Sequence, residues 1–543
     1  MSCANSLPHS EPISMIFLPI NLASKLSAKA SLSSILSFPS LPPPESSSVA
    51  FCSIERERSA MEATPGRKQF YSNYMLFNPG KASLFDLIAL LFSKNLRNRK
   101  FIETNIDAEE SFGYRLAVFL TTLLQKFLLT VKIPMTLAGQ TFEDMCNLFT
   151  NNGGMFGLVK RIMTGKVVIP DREAATYVSA VGYTDMRMDL SKEILYGNAM
   201  YYPSLSIMAA KAVYNNAAYN KSIIEDHWGM QLIGFKNYWN DFMLQADTQV
   251  SLFRNKTADH DTIVVCFRGT QPFSADDWIS DADLSWYEFP GIGRIHSGFL
   301  KALGMQKIVG WPKFVVPDIT RRAPLAYYDI RDTLRDLLNK NPEAKFIVTG
   351  HSLGGALAAL FPAILFYHDD QLLLERMEGV YTFGQPRVGD EAFAGYMEKN
   401  LNKNGIGFYR YVYCNDMVPR VPFNGIFKHF GTCVHYNSKY EAKIVEEVPY
   451  KNYFSIFGFI PMHSNAVYEV IRSFSMKAKY GSDYKDGWMM FGVRLFGILI
   501  PGIANHCPAD YVNSTRLGKP EDVLFLPLHT KKALGFEVPL LAA

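Results

Sequence analysis

Residues 345–360 read KFIVTGHSLGGALAAL, and the fold follows from how that stretch divides. Phe346, Ile347, Val348 and Thr349 form a β-branched and aromatic run of the kind a buried strand needs. From Ala356 to Leu360 every residue is a strong helix former. Between them Gly350, His351, Ser352, Leu353 and Gly354 make a G-x-S-x-G pattern at a strand-to-helix turn. Glycine at 350 and 354 removes the side chains that would hold strand and helix apart, and Gly355 extends that clearance into the first helical turn. The Ser352 hydroxyl is then presented on a strained turn beside the positive end of the following helix. The pattern alone is weak, since roughly 0.2 matches arise by chance in a chain of this length at ordinary Gly and Ser frequencies. The strand before it and the alanine-rich helix after it make it specific.

Outward from the elbow, the surrounding sequence alternates strand and helix. Strands are expected over 231–238, 249–254 and 261–267 before it, and over 379–383 and 408–413 after it. Helical stretches at 204–219, 327–339 and 390–399 lie among them. Alternation of this kind predicts an α/β fold, with ligands at the carboxyl ends of the strands. A serine nucleophile needs a base and a carboxylate that holds the base in one tautomer. Asp416 follows the strand ending at Tyr413 and is the preferred acid. Asp390 is its rival, although it opens a helix and reads as an N-cap. Histidines 429, 435, 463, 506 and 529 follow Asp416. His435 sits in an apparent hairpin, where a strand histidine is more often structural, whereas His506 lies in a loop before a polar turn. Order and context favour His506 and leave the others open.

The rest of the chain is different in character. It has 543 residues, more than one ordinary core requires, with 48% hydrophobic and 13% aromatic residues. A net charge of +4 gives no case for nucleic acid and only a weak pull toward anionic membranes. The seven cysteines are scattered, odd in number and without C-x-x-C spacing, which argues against a zinc site or disulfide framework and for a reducing compartment. Residues 1–65 are rich in Ser and Pro and are expected to be a disordered leader. That leader is transit-like, or else translation starts at Met61. Residues 66–188 are expected to form an N-terminal helical region, 189–530 the catalytic domain and 531–543 a tail. Within the helical region, the apolar blocks 84–92 and 114–131 flank a basic run at 94–100. Neither is a clean spanning helix, since the first is short and the second carries Lys126. They read either as two packed helices or as interfacial elements whose Arg115 and Lys126 snorkel toward head groups.

Five stretches in this order, VVCFRGT, IHSGF, GHSLGGALAAL, TFGQPRVGD and CNDMVPRVP, resemble the class 3 lipase family of α/β-hydrolases over about 200–515. Among plant members the chain is similar to oil-body triacylglycerol lipases, which share the long N-terminal part and the H-x-P-x-x-Y pattern at His506 and Tyr511. The resemblance implies an α/β-hydrolase fold, a triad of Ser352, Asp416 and His506, and no metal or cofactor. It implies an oxyanion hole made by Thr270 and by the backbone N–H of Leu353. It also places a lid over 271–286, QPFSADDWISDADLSW. There Ser274 and Asp277 fit a capping box. Phe273, Trp278, Ile279, Leu284 and Trp286 would form an oily face, and Asp276, Asp277, Asp281 and Asp283 an acidic rim. His296 reads as structural, beneath the pocket. One departure is the oily stretch between Asp416 and His506, chiefly 453–460 and 488–500, which either contacts lipid or packs against the N-terminal helices.

These readings point to a lid-gated lipase of long-chain acyl esters. Triacylglycerol at a lipid droplet or membrane surface facing the cytosol is the first expectation. Phospholipase A1 or galactolipase activity in plastids is the alternative, and a non-catalytic droplet scaffold the alternative of another class. The expected partner is a lipid at an oil–water or membrane interface.

Overall fold

Eight strands form the sheet that carries the elbow, in the order Ala442–Val445, Thr432–Tyr436, Gly407–Tyr413, Met377–Phe383, Lys345–His351, Asp261–Phe267, Gln245–Lys256 and Gln231–Asn240. The computed structural model describes residues 70–518 except 94, 95, 98, 108, 308, 454, 455 and 482. The expected leader at 1–65, part of the basic run at 94–100, and the tail at 531–543 with His529 lie outside the described residues. Five central strands, from Thr432–Tyr436 to Asp261–Phe267, run parallel, and the outer ones are antiparallel. The elbow strand is central and buried on both faces, as its unbroken apolar run requires. Its side chains alternate, Phe346 and Val348 packing into one core cluster and Ile347 into the other. The first cluster includes the helices Leu353–His368 and Ala326–Lys340; the second includes Tyr201–Ala212 and Pro508–Leu517. Because the central strands are parallel, Thr270, Ser352 and Asp416 emerge at one edge of the sheet.

A second sheet has four antiparallel strands, Ile102–Thr104, Asn73–Phe77, Trp286–Phe289 and Gly293–His296. The N-terminal region, expected to be helical, thus also supplies two strands, of which Asn73–Phe77 pairs with Ile102–Thr104 on one side and with Trp286–Phe289 on the other. They are short and the Trp286–Phe289 partner is remote in sequence, so no local periodicity announces them. The helices there are Leu84–Phe92, started by a full capping box between Ser83 and Asp86, then Phe112–Asn151 and Gly154–Met163.

Among the described residues, Phe112–Asn151 is the one helix long and apolar enough to cross a membrane, by length and composition. Its cations do not snorkel as one of the expectations had them. Arg115 is buried and donates to the Leu90 and Leu91 carbonyls at 3.1 and 2.8 Å. Lys126 donates to the Pro79 carbonyl at 3.3 Å. Both charges satisfy carbonyls of neighbouring protein segments, which a pattern read along one helix does not reveal. The oily stretch before His506 forms the helices Ile456–Tyr480 and Trp488–Gly497, with Phe459, Ile460, Ile471, Phe474 and Trp488 left exposed.

Candidate active site

Ser352 adopts φ 59° and ψ −130°, a conformation that a residue with a side chain occupies only under strain. The neighbouring glycines make the turn possible. A Cβ on Gly350 would lie 2.2 Å from the Gly354 backbone, and one on Gly354 would lie 2.2 Å from the Phe267 carbonyl oxygen. Leu353 is the first residue of the helix, so its N–H has no intrahelical acceptor.

His506 joins the serine to a carboxylate. Its Nε2 lies 2.8 Å from Ser352 Oγ, and its Nδ1 lies 2.9 Å from each oxygen of Asp416. Asp416 is fully buried and also accepts the Val418 N–H at 2.9 Å and the Tyr511 hydroxyl. The rivals are occupied elsewhere. Asp390 caps the helix Glu391–Asn404 by accepting the Phe393 N–H at 2.9 Å. His435 lies in its strand 3.1 Å from the Cys414 carbonyl, and burial pushes its imidazole down to about 4. His429 and His463 bond the carbonyls of Pro419 and Phe459 at 2.8 Å each. Next to His506, burial raises the Cys507 thiol to about 12, so it is no competing nucleophile.

Three residues without an assigned role complete the arrangement. Tyr511, one helical turn beyond His506, reaches Asp416 and accepts the Tyr413 N–H at 3.2 Å. His351 lies 2.7 Å from the His506 carbonyl through Nε2 and 2.9 Å from the Tyr214 hydroxyl through Nδ1. A carbonyl only accepts, so Nε2 carries the hydrogen and Nδ1 takes one from Tyr214. Burial, helped by nearby His506, holds His351 well below the usual histidine range and therefore neutral. The H-x-P-x-x-Y and G-H-S patterns mark two of these residues; nothing local marks Tyr214.

The lid stretch forms a short helix, Ala275–Asp281. Ser274 accepts the Asp277 N–H at 3.3 Å, but Asp277 turns to the Gln271 N–H at 2.9 Å and to Arg268 at 3.8 Å, so only half of the expected capping box forms. Nor is there an acidic rim. Asp283 is buried and accepts the Ser285 and Ser297 hydroxyls. Asp281 accepts the Thr270 hydroxyl and, although the residue is partly exposed, its other oxygen is enclosed and unpartnered. Asp276 is half-buried and pairs with Lys132 of the long helix at 2.8 Å. Leu284 and Trp286 leave the oily face as well: both are buried in the core cluster packed on the four-stranded sheet, Trp286 beneath the Arg294 guanidinium at 4.2 Å. Phe273, Trp278 and Ile279 stay at the lid, half-buried.

The helix Phe112–Asn151 packs on this segment. Gln125 donates to the Ile279 carbonyl at 2.9 Å, and Phe142 meets the Phe273 ring at 5.8 Å. A Cβ on Gly139 would come within 2.3 Å of Phe273, so glycine allows the close approach. Under this cover Ser352 is 5% exposed. A small cavity beside Ala275–Asp281 is lined by Asp247, Arg268, Gly269, Asp277 and Leu353. His296 is buried against Phe299, ring centroids 3.9 Å apart. Among the described residues no cluster of His, Cys, Asp or Glu is placed to hold a metal ion.

A family described as Lipase (class 3) matches residues 264–425. The chain is similar to triacylglycerol lipase OBL1 of Arabidopsis thaliana, 36% identical across 86% of this chain and 98% of the relative. It is also similar to triacylglycerol lipase OBL1 of Nicotiana tabacum, 38% identical across 75% of this chain and 84% of the relative. Among solved structures, a Rhizomucor miehei lipase propeptide complex covers 46% of this chain and 68% of its own, with 28% identity and a TM-score of 0.34. That overlap is partial, and the relationship rests on the plant sequences.

Proposed function

This chain belongs to the class 3 lipase family and is a carboxylic ester hydrolase, and on that premise we propose that it hydrolyses triacylglycerol at lipid droplets through Ser352, His506 and Asp416. The observation that carries the reading is the double reach of His506, 2.8 Å to Ser352 Oγ and 2.9 Å to both Asp416 oxygens. In this scheme His506 takes the Ser352 proton as Oγ attacks the ester carbonyl. The oxyanion is met by the backbone N–H groups of Thr270 and Leu353, donors worth about 3 kcal/mol each in barrier lowering. His506, now an imidazolium oriented by Asp416, returns the proton to the departing glyceride alkoxide. An acyl group stays on Ser352. Water, deprotonated by the same histidine, then attacks the acyl carbonyl, the proton goes back to Ser352 Oγ, and the fatty acid leaves.

The lid reading draws support from the burial of Ser352 and Thr270 under the segment that carries Phe273, Trp278 and Ile279. An oily substrate phase can take up those side chains and free the serine. Preference for a droplet or membrane surface draws support from the large apolar side chains left in water, Phe85 at 85% and Phe92 at 84% exposure among them. The names of the plant relatives favour triacylglycerol as substrate. Purified enzyme assayed on emulsified triacylglycerol, phosphatidylcholine and galactolipid should be fastest on triacylglycerol. Faster turnover of either polar lipid would overturn the substrate assignment. Failure of a fluorophosphonate to label Ser352 would overturn the mechanism.

A further inference from the structure

Between the helices Ile456–Tyr480 and Trp488–Gly497 lies a buried ionic cluster that the proposed chemistry does not use. Glu469, Arg472, Arg494 and Asp510 are buried, and Asp486 is half-buried beside them. Arg494 donates to Glu469 at 3.2 Å, to Asp486 at 3.0 Å and to Asp510 at 2.8 Å. Arg472 lies 3.7 Å from both Glu469 and Asp510, and Tyr440 donates to Asp510 at 2.7 Å. Apolar side chains of similar volume would join two helices at least as firmly, because burying charges costs desolvation. What apolar residues could not do is direct a carboxylate at two separate loops.

Glu469 does that. Its Oε2 accepts the side-chain N–H of Asn505 at 2.5 Å, and its Oε1 accepts the hydroxyl of Tyr413 at 3.1 Å. Asn505 immediately precedes His506, and Tyr413 ends the strand from which Asp416 follows three residues later. One carboxylate therefore grips the base of the histidine loop and the base of the aspartate loop. The two loops also touch directly: a Cβ on Gly502 would lie 2.3 Å from the Asn415 carbonyl oxygen. The backbone of His506 has its own supports, its N–H bonded to the Ile503 carbonyl at 3.2 Å and its carbonyl to His351. Those bonds set the loop's shape, whereas Asn505 ties it to the helix that carries Glu469.

We propose that Glu469 is a positioning residue for the hydrolytic reaction, holding His506 and Asp416 in mutual register through Asn505 and Tyr413. The inference rests on the reading of Ser352, His506 and Asp416 as the reacting triad. A purely structural staple would cost stability when cut. A positioning residue costs turnover, since a displacement of about 1 Å in a reacting group lowers rate by about 100-fold.

The test uses the full chain and a dissolved short-chain ester, which makes no demand on lid or lipid surface. Asn505→Ala cuts one arm and leaves the pairing of Glu469 with the arginines intact. Its kcat and its rate of Ser352 labelling by a fluorophosphonate should both fall about 10- to 100-fold, with KM and melting temperature near wild type. Tyr413→Phe removes a single hydroxyl from the other arm, keeps the ring packing, and should move both rates in the same direction by a smaller factor. It decides the question if Asn505→Ala does not fold. Wild-type kcat and labelling rate in folded Asn505→Ala or Tyr413→Phe would overturn the proposal. So would a loss of activity that only tracks a lost folded fraction. Absence of labelling in the wild type would instead overturn the triad reading, and this inference with it.

Discussion

Ser352 sits at positive φ because the two glycines flanking it surrender the volume its turn requires. Replacing it with alanine keeps a Cβ of the same bulk, so Ser352→Ala should lose hydrolysis while its melting temperature stays within a few degrees of wild type. Calorimetry beside an ester assay checks both halves. The choice between acids is as sharp. Asp416 faces His506 with both oxygens, and Asp390 caps a helix. Asp416→Asn should lower kcat about 10⁴-fold by favouring the wrong histidine tautomer. Asp390→Asn should keep activity and cost at most about 1 kcal/mol of stability, asparagine being a good N-cap. The reverse pattern of activities would transfer the acid's role to Asp390.

At the scale of the element, the segment 271–286, the proposed lid, is held from below by its own inward-turned carboxylates and from outside by the long helix. Trp278 and Ile279 are, with Phe273, its remaining oily side chains. Changing both to Ser should reduce turnover of emulsified triacylglycerol at least tenfold more than turnover of a dissolved ester. Equal losses on the two substrates would assign these residues to packing. A pH effect follows from Asp281, whose carboxyl is raised to about 7, first by burial and then by the nearby Asp277 charge, against the hydrogen bond from Thr270. A carboxyl raised in the closed arrangement keeps a proton there that it would release once the lid swings into water. Closure is therefore most favoured below about pH 4, and that contribution fades as pH rises toward 7. Hydrogen exchange across 271–286 in Ser352→Ala protein, corrected for intrinsic rates, should show easier opening at pH 8 than at pH 5. Asp281→Asn should flatten the difference. A lid whose protection in the wild type does not change between those pH values would contradict this account.

Across the whole molecule, apolar surface is the feature that needs an occupant. Phe85, Phe92 and Phe127 are exposed at 85%, 84% and 60%, the first two on a helix without cations and the third on the helix whose Arg115 and Lys126 are already bonded to protein. Burying a phenylalanine in lipid is worth about 1.5–3 kcal/mol, so each change to Ser should weaken droplet binding about tenfold or more. Folding and turnover of a dissolved ester should be untouched. Flotation with artificial droplets measures the first quantity, and unchanged flotation of the triple variant would move the lipid contact elsewhere. Substitution suits this chain better than deletion of 84–131. Gln125 lies within that span and bonds the lid, and Arg115 ties two helices together.

The elbow, the order of serine, acid and histidine, and the central parallel strands were all legible in the chain, because each depends on residues close together or on a directional rule of α/β folds. The triad geometry needed one more step, since five histidines follow Asp416 and only the fold brings one of the described ones to Ser352. Tertiary structure alone decided the rest. The strand Asn73–Phe77 pairs with Trp286–Phe289, more than two hundred residues away, and no periodicity in either predicts the other. The lid's aspartates look like a solvated rim in sequence. Three of them turn inward because Thr270, Gln271, Arg268 and two serines offer them partners that water would otherwise supply. Arg494, a lone charge in an oily run, proves to be the centre of a buried cluster whose other members lie on other elements. Local sequence sets backbone propensity and strain, but the partner of a buried charge is chosen by whatever the fold brings beside it.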